Sequence, residues 1–281
     1  MATLLRGTAL ITGAGSGIGQ YAAYAFARYG VKKLAITDIK PENLQSTVDG
    51  LKKQAPNVEV EPIQMDCTSE TDINKTIDHV VKKFGRLDIA VNNAGTGGPL
   101  VETTKVELSE WQKLMDLNVN GVWLCERAEL RQMLKQEYIP HSCLCPKFAS
   151  LINCSVLDER EGRGVIVNIA SMYGIVGNTP TIPAAAYSTS KHAVVGLTKT
   201  DALYYAKHKI RINAMCPGYT ETPLLQQAIK EGHMKGEVEK TPMGRLGKME
   251  EIGDSITFLA SPMSSFMTGA SLIVDGGFTA Q

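Results

Sequence analysis

The sequence predicts an α/β fold built on a doubly wound parallel sheet. Three observations predict it: short apolar segments alternate with amphipathic helical segments along all 281 residues, a glycine-rich turn follows the first apolar segment, and an acidic residue ends the second. We expect about seven strands in the order 3-2-1-4-5-6-7, with helices on both faces and right-handed crossovers. Residues 1–281 show no repeat or linker and are interpreted as a single domain.

Seven segments are predicted to be strands, and several are apolar almost throughout, as strands buried on both faces of a sheet are. They are Thr8–Thr12, Lys33–Asp38, Val58–Met65, Leu87–Asn92, Gly164–Ala170, Ile210–Met215 and Ser271–Val274. Apolar residues recur at helical spacing between the early strands, as in Leu44, Val48 and Leu51. The segment Asp66–Ser69 supplies cap-type residues before the next helix.

A glycine turn, Thr12–Gly19, joins the first strand to an amphipathic stretch from Ile18 to Tyr29. A strand, a glycine turn and a helix N-terminus in that order form a site for a dinucleotide pyrophosphate. Glycines allow a tight turn and close backbone approach, and the helix start offers free N–H groups and partial positive charge. The turn therefore predicts a Rossmann-type fold. Its predicted cofactor contacts are Gly13, Ser16, Gly17, Ile18 and Gly19.

Asp38 stands at the end of the second strand, about 20 residues beyond the glycine turn. A carboxylate there accepts hydrogen bonds from an adenosine ribose diol and repels a 2′-phosphate, so NAD is the predicted cofactor. No arginine is adjacent to Asp38 or inside the glycine turn, and Lys40 is the nearby cation. The alternative is that Asp38 only starts a turn before Pro41.

Tyr187 and Lys191 are four residues apart, which places both side chains on one face of a helix. A tyrosine ionises near pH 10, but a neighbouring ammonium favours the phenolate and lowers the pKa. The pair therefore predicts a general acid/base. By itself this spacing also occurs by chance in many helices.

Composition excludes several classes of function. The chain carries 29 basic and 29 acidic residues with no long run of one sign, so we expect no nucleic-acid surface and no polybasic membrane contact. No apolar run approaches the roughly 20 residues of a spanning helix, and the N-terminus is interpreted as the first strand and not as a signal peptide. Six cysteines do not form a disulfide framework in a chain of this size, which favours a reducing compartment, the cytoplasm.

Further motifs follow in a fixed order along nearly the whole chain. They are Thr12–Gly19, Asp38, Asp66, Asn92–Gly95, Asn118, Ser171, Tyr187 with Lys191, Pro217–Gly218 with Thr222, and Gly269–Gly277. In these residues, and in their order, the chain resembles the short-chain dehydrogenase/reductase family.

The resemblance implies four catalytic residues. Tyr187 would donate or accept the alcohol proton, and Lys191 would bind the nicotinamide ribose and tune Tyr187. Ser171 would hold the substrate oxygen, and Asn118 would anchor a water that relays protons to solvent. Hydride transfer is the cofactor's chemistry, to which the protein contributes geometry and a proton path.

The resemblance also implies the remaining cofactor contacts. Asp66 and Cys67 would meet the adenine, Asn93–Gly95 would lie along the adenosine ribose, and Pro217–Thr222 would hold the nicotinamide carboxamide. Beyond the glycine turn and Asp38, the predicted contacts are Asp66, Cys67, Asn93, Ala94, Gly95, Tyr187, Lys191, Pro217, Gly218, Thr220 and Thr222. Relatives commonly pair through the helices that bear Asn118 and Tyr187, so we expect a homodimer or homotetramer.

The spacing between serine and tyrosine departs from the family's pattern. Ser171 precedes Tyr187 by 16 residues, a few more than usual, and the segment Asn178–Pro183 is interpreted as a lengthened loop at the mouth of the site. Ser188 and Ser190 are alternatives. Ser171 is preferred because it directly follows a predicted strand.

A second departure is an insertion of about 25 residues, at about 137–161. Ligands bind beyond the carboxyl ends of parallel strands, and the preceding helix runs back from that edge. The insertion is therefore predicted to form a subunit contact or a surface loop and not a lid over its own site. It contains the possible zinc ligands His141, Cys143, Cys145 and Cys154, but their spacing fits no common zinc pattern, and no metal is predicted.

The segment Tyr219–Thr241 is the predicted substrate lid, with Gly232 and Gly236 as possible hinges. Its apolar residues favour a mostly apolar small molecule, such as a terpenoid, a steroid or a polyketide-like compound. The predicted function is NAD(H)-dependent interconversion of a secondary alcohol and a ketone. Two alternatives remain: a catalytically silent dinucleotide sensor, and a diverged lyase or cyclase that keeps the cofactor site only structurally.

Overall fold

The computed structural model describes residues 3–137 and 162–281, whose strands form one seven-stranded parallel sheet. The strands are β1 (Thr8–Ile11), β2 (Lys33–Asp38), β3 (Glu59–Gln64), β4 (Ile89–Asn92), β5 (Gly164–Ile169), β6 (Ile210–Pro217) and β7 (Ser271–Val274). Their spatial order, β3-β2-β1-β4-β5-β6-β7, confirms the predicted order. The largest differences from the predicted bounds are two residues, at the start of β4 and the end of β6.

Helices follow the strands as the apolar periodicity predicts. They are α1 (Gly17–Arg28), α2 (Pro41–Gln54), α3 (Glu70–Phe84), α4 (Leu108–Met115), α5 (Val122–Met133), α6 (Ala185–Tyr205), α7 (Gln226–Lys230), α8 (Lys235–Lys240) and α9 (Met249–Ala260). The predicted cap segment before α3 supplies its N-cap, because the side chain of Ser69 accepts a hydrogen bond from the backbone N–H of Asp72 at 3.2 Å.

Two apolar layers cover the two faces of the sheet. Side chains alternate along a strand, so Ile11 packs with residues of α1, α2 and α9, whereas Leu10 packs with residues of α3, α5 and α6. Phe26 and Met133 are the largest fully buried side chains of α1 and α5. Both faces of the central strands are therefore buried, which explains why β1 and β4 are apolar except at Thr8 and Asn92.

The order of the strands along the sheet reverses at β1, and this reversal positions the site. Ala9 of β1 pairs with Leu34 of β2 on one side and with Ile89 of β4 on the other. The connections after β1 and after β4 therefore lead away from each other and leave a crevice at the carboxyl ends of the strands, where ligands bind in such folds.

The helix expected to bear Asn118 is interrupted. α4 is followed by a six-residue π-helical turn, Asp116–Gly121, and only then by α5. Asn118 lies in this turn and not in a regular α-helix. π-Helical turns are rare and are frequently found at functional sites.

The ends of the predicted insertion lie at the amino edge of the sheet. Arg86, just before β4, donates a hydrogen bond to the carbonyl of Glu137 at 3.3 Å, and the N–H of Arg163 donates to the carbonyl of Lys209, just before β6, at 2.9 Å. The insertion itself, with His141, Cys143, Cys145 and Cys154, lies outside the described residues. Its role as a subunit contact or surface loop stays a prediction. Within residues 3–137 and 162–281, no cluster of three or more metal-binding side chains is found.

Candidate active site

A cavity of about 2210 Å³ opens at the carboxyl ends of the strands. Residues one or two positions beyond the ends of five of the strands line it, and all were predicted from the sequence. They are Gly13 after β1, Asp66 after β3, Asn93 after β4, Ser171 after β5 and Gly218 after β6, with Asp38 at the end of β2. The topology therefore brings together residues that are up to 205 positions apart in the chain, from Gly13 to Gly218.

The glycine turn forms one wall of this cavity. Gly13 has a φ of +62°, which glycine adopts readily, and a Cβ on it would lie 2.9 Å from the Cα of Ala94. Gly19 does not line the cavity; a Cβ there would lie 2.4 Å from the carbonyl oxygen of Gly13, so Gly19 permits close packing of the turn. Ser16 is the N-cap of α1, and its side chain makes no capping bond to any described residue. The first N–H groups of α1 are therefore open to an anion, and the turn fits a dinucleotide pyrophosphate.

The end of the cavity next to β2 and β3 contains two carboxylates. Asp38 accepts hydrogen bonds from the N–H of Gly15 at 3.2 Å and of Lys40 at 3.0 Å. Asp66 accepts from the N–H of Thr68 at 2.8 Å and from its hydroxyl at 2.7 Å. These bonds orient both carboxylates, and Cys67 lines the cavity beside Asp66.

Asn93 holds the glycine turn against β4. Its side-chain amide donates to the carbonyls of Thr12 and Gly13, both at 3.0 Å, and its backbone N–H donates to the hydroxyl of Thr12 at 3.0 Å. Ala94 and Gly95 follow along the cavity wall. The hydrogen bonds of Asn93 therefore tie the start of the glycine turn to the segment that follows β4.

Ser171, Tyr187 and Lys191 meet at another wall of the cavity. The structure places the Lys191 ammonium 5.7 Å from the centre of the Tyr187 ring, where it donates to the carbonyl of Ile169 at 2.8 Å. Ser171 is hydrogen-bonded to the Tyr187 phenol. The alternatives Ser188 and Ser190 do not line the cavity, and both hydroxyls donate to backbone carbonyls at 2.9 and 2.7 Å.

The predicted pKa of Tyr187 is wrong for the protein as the structure describes it. Burial raises the pKa of the Tyr187 phenol, and the hydrogen bond with Ser171 opposes this rise only in part. Burial also lowers the pKa of Lys191, to about 8. The ammonium lies over the ring and bonds to Ile169, so loss of solvation outweighs the attraction that the sequence predicted.

Asn118 does not line the cavity, contrary to what its expected role suggests. Its side chain is fully buried, donates to the carbonyl of Thr96 at 2.9 Å and to the hydroxyl of Ser190 at 3.2 Å, and accepts from the N–H of Thr96 at 2.9 Å. The amide therefore links the π-helical turn to α6 and to the segment that follows β4. Both N–H protons of the amide are used in these bonds, so a water could reach this side chain only at the second lone pair of Oδ1.

The turn after β6 and the predicted lid close the remaining side. Pro217, Gly218, Thr220 and Thr222 line the cavity, and the N–H of Gly218 donates to the carbonyl of Val274 at 2.9 Å. In the lid, Gly232 has a φ of +76° and separates α7 from α8, whereas Gly236 is inside α8. Of the two predicted hinges, only Gly232 therefore lies between helices.

Sequence reasoning did not predict a hydrogen-bonded group of polar residues at this end of the cavity. Its members are Tyr173, Thr181, Tyr219 and Glu237. Tyr173 and Tyr219 line the cavity, and Tyr219 donates to Glu237 at 3.1 Å. Tyr173 follows Ser171 by two residues, which is a local signal. The hydrogen bonds from Thr181 and Tyr219 to Glu237 have no local sequence signal, because their donors come from other segments of the chain.

Comparison with known proteins gives a consistent result. Residues 7–138 match the profile of the short chain dehydrogenase family, and residues 147–279 match that of the enoyl-(acyl carrier protein) reductase family. The short-chain dehydrogenase srdC of Neurospora crassa is 37% identical over 98% of this chain and 97% of its own length. This chain belongs to the short-chain dehydrogenase/reductase family.

Other members of the family support the same conclusion. Cyclohexanol dehydrogenase of Acinetobacter sp. is 34% identical over 97% of this chain and 95% of its own length. The crystal structure of levodione reductase superimposes with a TM-score of 0.85 at 30% identity, covering 98% of each chain. The chain is thus an oxidoreductase of the short-chain dehydrogenase/reductase family, whose members use NAD or NADP. Among the helices of the described residues, none is long and apolar enough to span a bilayer.

Proposed function

We propose that this short-chain dehydrogenase/reductase interconverts a secondary alcohol and a ketone on a mostly apolar small molecule, with NAD(H) as the cofactor. The observation that carries the proposal is the meeting of Ser171, Tyr187 and Lys191 at one wall of a cavity whose other wall is the glycine turn. The dinucleotide, when bound, supplies or accepts the hydride.

The protein's own residues handle the proton. Tyr187 protonates the forming alkoxide or removes the alcohol proton, and Ser171 holds the substrate oxygen beside the phenol. Lys191, whose pKa is lowered to about 8 and which is therefore mostly a cation at pH 7, would bind the nicotinamide ribose and stabilise the phenolate as it forms. Asn118 would act through the π-helical turn that its side chain fixes, and a bridging water would sit near that turn.

Asp38 supports NAD as the cofactor and not NADP. Its carboxylate lies at the end of β2 and lines the cavity, where a 2′-phosphate would meet like-charge repulsion. Lys40 also lines this end and would offset part of the repulsion. Asp66 and Cys67 would contact the adenine, Asn93–Gly95 the adenosine ribose, and Pro217–Thr222 the carboxamide.

The apolar side chains at the lid support an apolar substrate. Leu224, Leu225, Ala228 and Met234 from the lid, and Ile182 opposite, line this part of the cavity. A terpenoid, a steroid or a polyketide-like compound would fit such walls. Cyclohexanol, the substrate named for one relative, is a small apolar secondary alcohol.

A homo-oligomer is also proposed, with pairing through α5 and α6. Leu203 and Tyr204 of α6 are 80% and 58% exposed, and apolar surface of this kind favours association. The cytoplasmic location stays a prediction.

The test is a screen of apolar ketones and secondary alcohols with NADH and NAD, in which cofactor binding and turnover are both followed by fluorescence. We expect saturable dinucleotide binding and turnover of at least one carbonyl compound, with the alcohol as product. Binding without any turnover would favour the silent sensor. Conversion of a substrate with no net change in NADH would favour the lyase or cyclase.

A further inference from the structure

The carboxylate of Glu237 is buried behind the cavity-lining residues Tyr173, Thr181 and Tyr219, although it belongs to the short surface helix α8. Its side chain is only 3% exposed. It accepts hydrogen bonds from Thr181 at 2.6 Å, from Tyr219 at 3.1 Å and from the ammonium of Lys240 at 2.8 Å. We propose that Glu237 is a positioning residue that latches the lid (Tyr219–Thr241) to the mouth loop (Asn178–Pro183), and thereby sets the affinity for the substrate.

The bonds of Glu237 join two segments that the sequence singled out separately. Thr181, and more distantly Thr179 at 3.4 Å, reach the carboxylate from the mouth loop. These residues are 56 and 58 positions away from Glu237 in the chain. The latch therefore spans the mouth of the cavity from one side to the other.

A carboxylate is required at this position because several donors converge on it. An ionised carboxylate is an acceptor only, with about four lone-pair sites. Tyr219 gives its single hydroxyl proton to Glu237, so Tyr173, which is hydrogen-bonded to Tyr219, must be the donor in that second bond. The protons of Tyr173 and Tyr219 therefore form a chain of hydrogen bonds that ends on Glu237.

The charge on Glu237 strengthens the latch. Burial raises the pKa of this carboxyl, but hydrogen bonds from Lys240, Thr181 and Tyr219 outweigh burial and leave its pKa below the usual value. Glu237 is thus ionised at neutral pH, and hydrogen bonds to an ionised acceptor are stronger than neutral ones. A neutral amide of the same size would lose this advantage and would also turn an N–H group towards donors.

Tyr219 belongs to the segment proposed to hold the carboxamide, but the position of the latch predicts a larger effect on the substrate than on the dinucleotide. Ile182 of the mouth loop and Met234 of the lid line the apolar end of the cavity, which the proposed function assigns to the substrate. The fixed partner, Tyr173, donates its backbone N–H to the hydroxyl of Ser171 at 3.1 Å. The glycine turn and Asp38 lie at the other end of the cavity and make none of these bonds.

The test replaces Glu237 by glutamine and compares it with a matched control on the same helix. Glu239 is exposed, so Glu239→Gln makes the same change in charge without touching the latch. In Glu237→Gln we expect the KM for the ketone to rise about tenfold, while kcat and the Kd for NADH stay within about twofold. Thr181→Val, a change in the exposed mouth loop, should raise KM in the same direction. In the double variant, the loss of binding free energy for the ketone should be smaller than the sum of the two single losses, because both substitutions remove the same hydrogen bond.

A second readout does not depend on turnover. Amide hydrogen exchange in residues 178–183 and 225–241 should be faster in Glu237→Gln and Thr181→Val than in the wild type and in Glu239→Gln. A wild type that turns over no ketone would refute the proposed function, but the exchange rates would still test the latch. The latch is overturned if Glu237→Gln exchanges like Glu239→Gln, or if kcat falls with KM unchanged.

Discussion

Burial controls the charges of the two residues that would handle the proton. The phenol of Tyr187 and the ammonium of Lys191 both lose solvation, which raises the pKa of the first and lowers the pKa of the second to about 8. Each shift favours the neutral form. The phenolate would therefore be favoured only when further polar groups, such as those of a bound dinucleotide and substrate, surround the pair.

Asp38 is the residue on which we propose that the choice between NAD and NADP depends. Asp38→Ser removes the carboxylate that would repel a 2′-phosphate, so the ratio of the Kd values for NADP and NAD should shift towards NADP by about tenfold. Fluorescence titration with both dinucleotides measures this ratio. Asp66→Ser is the control, because it should weaken both dinucleotides and leave the ratio as it is. An unchanged ratio in Asp38→Ser would show that Asp38 does not read the ribose.

At the scale of elements, α5 buries two carboxyl groups against the centre of the sheet. Glu129 receives a hydrogen bond from Asn92 at the end of β4 at 3.0 Å, and Glu126 is hydrogen-bonded to Asn168 of β5. Both side chains are fully buried. Burial raises the pKa of Glu129 to about 8, more than the bond from Asn92 lowers it. The helix therefore packs on the sheet with Glu129 largely protonated at neutral pH.

The buried acid predicts a pH-dependent stability. The folded-state pKa of Glu129 exceeds its usual value of 4.5. Its contribution to the free energy of unfolding is therefore fully present below about pH 4.5 and is lost as the pH rises towards 8. Relative to the wild type, Glu129→Gln should therefore gain about 1.4 kcal/mol in the free energy of unfolding for each pH unit in this range. Denaturant unfolding at pH 5 and pH 7.5 measures the gain. A gap that does not change with pH would contradict it, and Glu239→Gln should show such a constant gap.

Most elements could be predicted because their signals are local. The apolar periodicity and the glycine turn identified all seven strands, and the cap residue Ser69 marked the start of α3. The π-helical turn could not be predicted, because Asn118 is held there by Thr96 and Ser190, which are 22 and 72 residues away. The latch of Glu237 was missed for the same reason. Predicted motifs thus come together at the candidate site, while long-range side-chain bonds set its geometry.

At the scale of the whole molecule, the reversal of strand order at β1 places the site at one edge of the sheet. The outer face of α6 lies away from that edge and is proposed to contact a second subunit. Leu203 on that face is 80% exposed. Leu203→Glu should shift the protein towards the monomer, because it places a charge in the proposed apolar interface. Light scattering after size-exclusion chromatography measures the mass. Lys52→Glu, on the exposed side of α2 across the sheet, is the control and should not change it. An oligomer that withstands the Leu203 change would place the interface elsewhere.

The central claim is that the phenol of Tyr187 transfers the proton during ketone reduction, and single-turnover stopped-flow kinetics test it most directly. Tyr187→Phe removes only a hydroxyl, as does Tyr204→Phe at an exposed position on the same helix. We expect hydride transfer from NADH to slow by about a thousandfold in Tyr187→Phe, with NADH affinity kept, and to be unchanged in Tyr204→Phe. Equal rates of hydride transfer in the wild type and in Tyr187→Phe would contradict the claim.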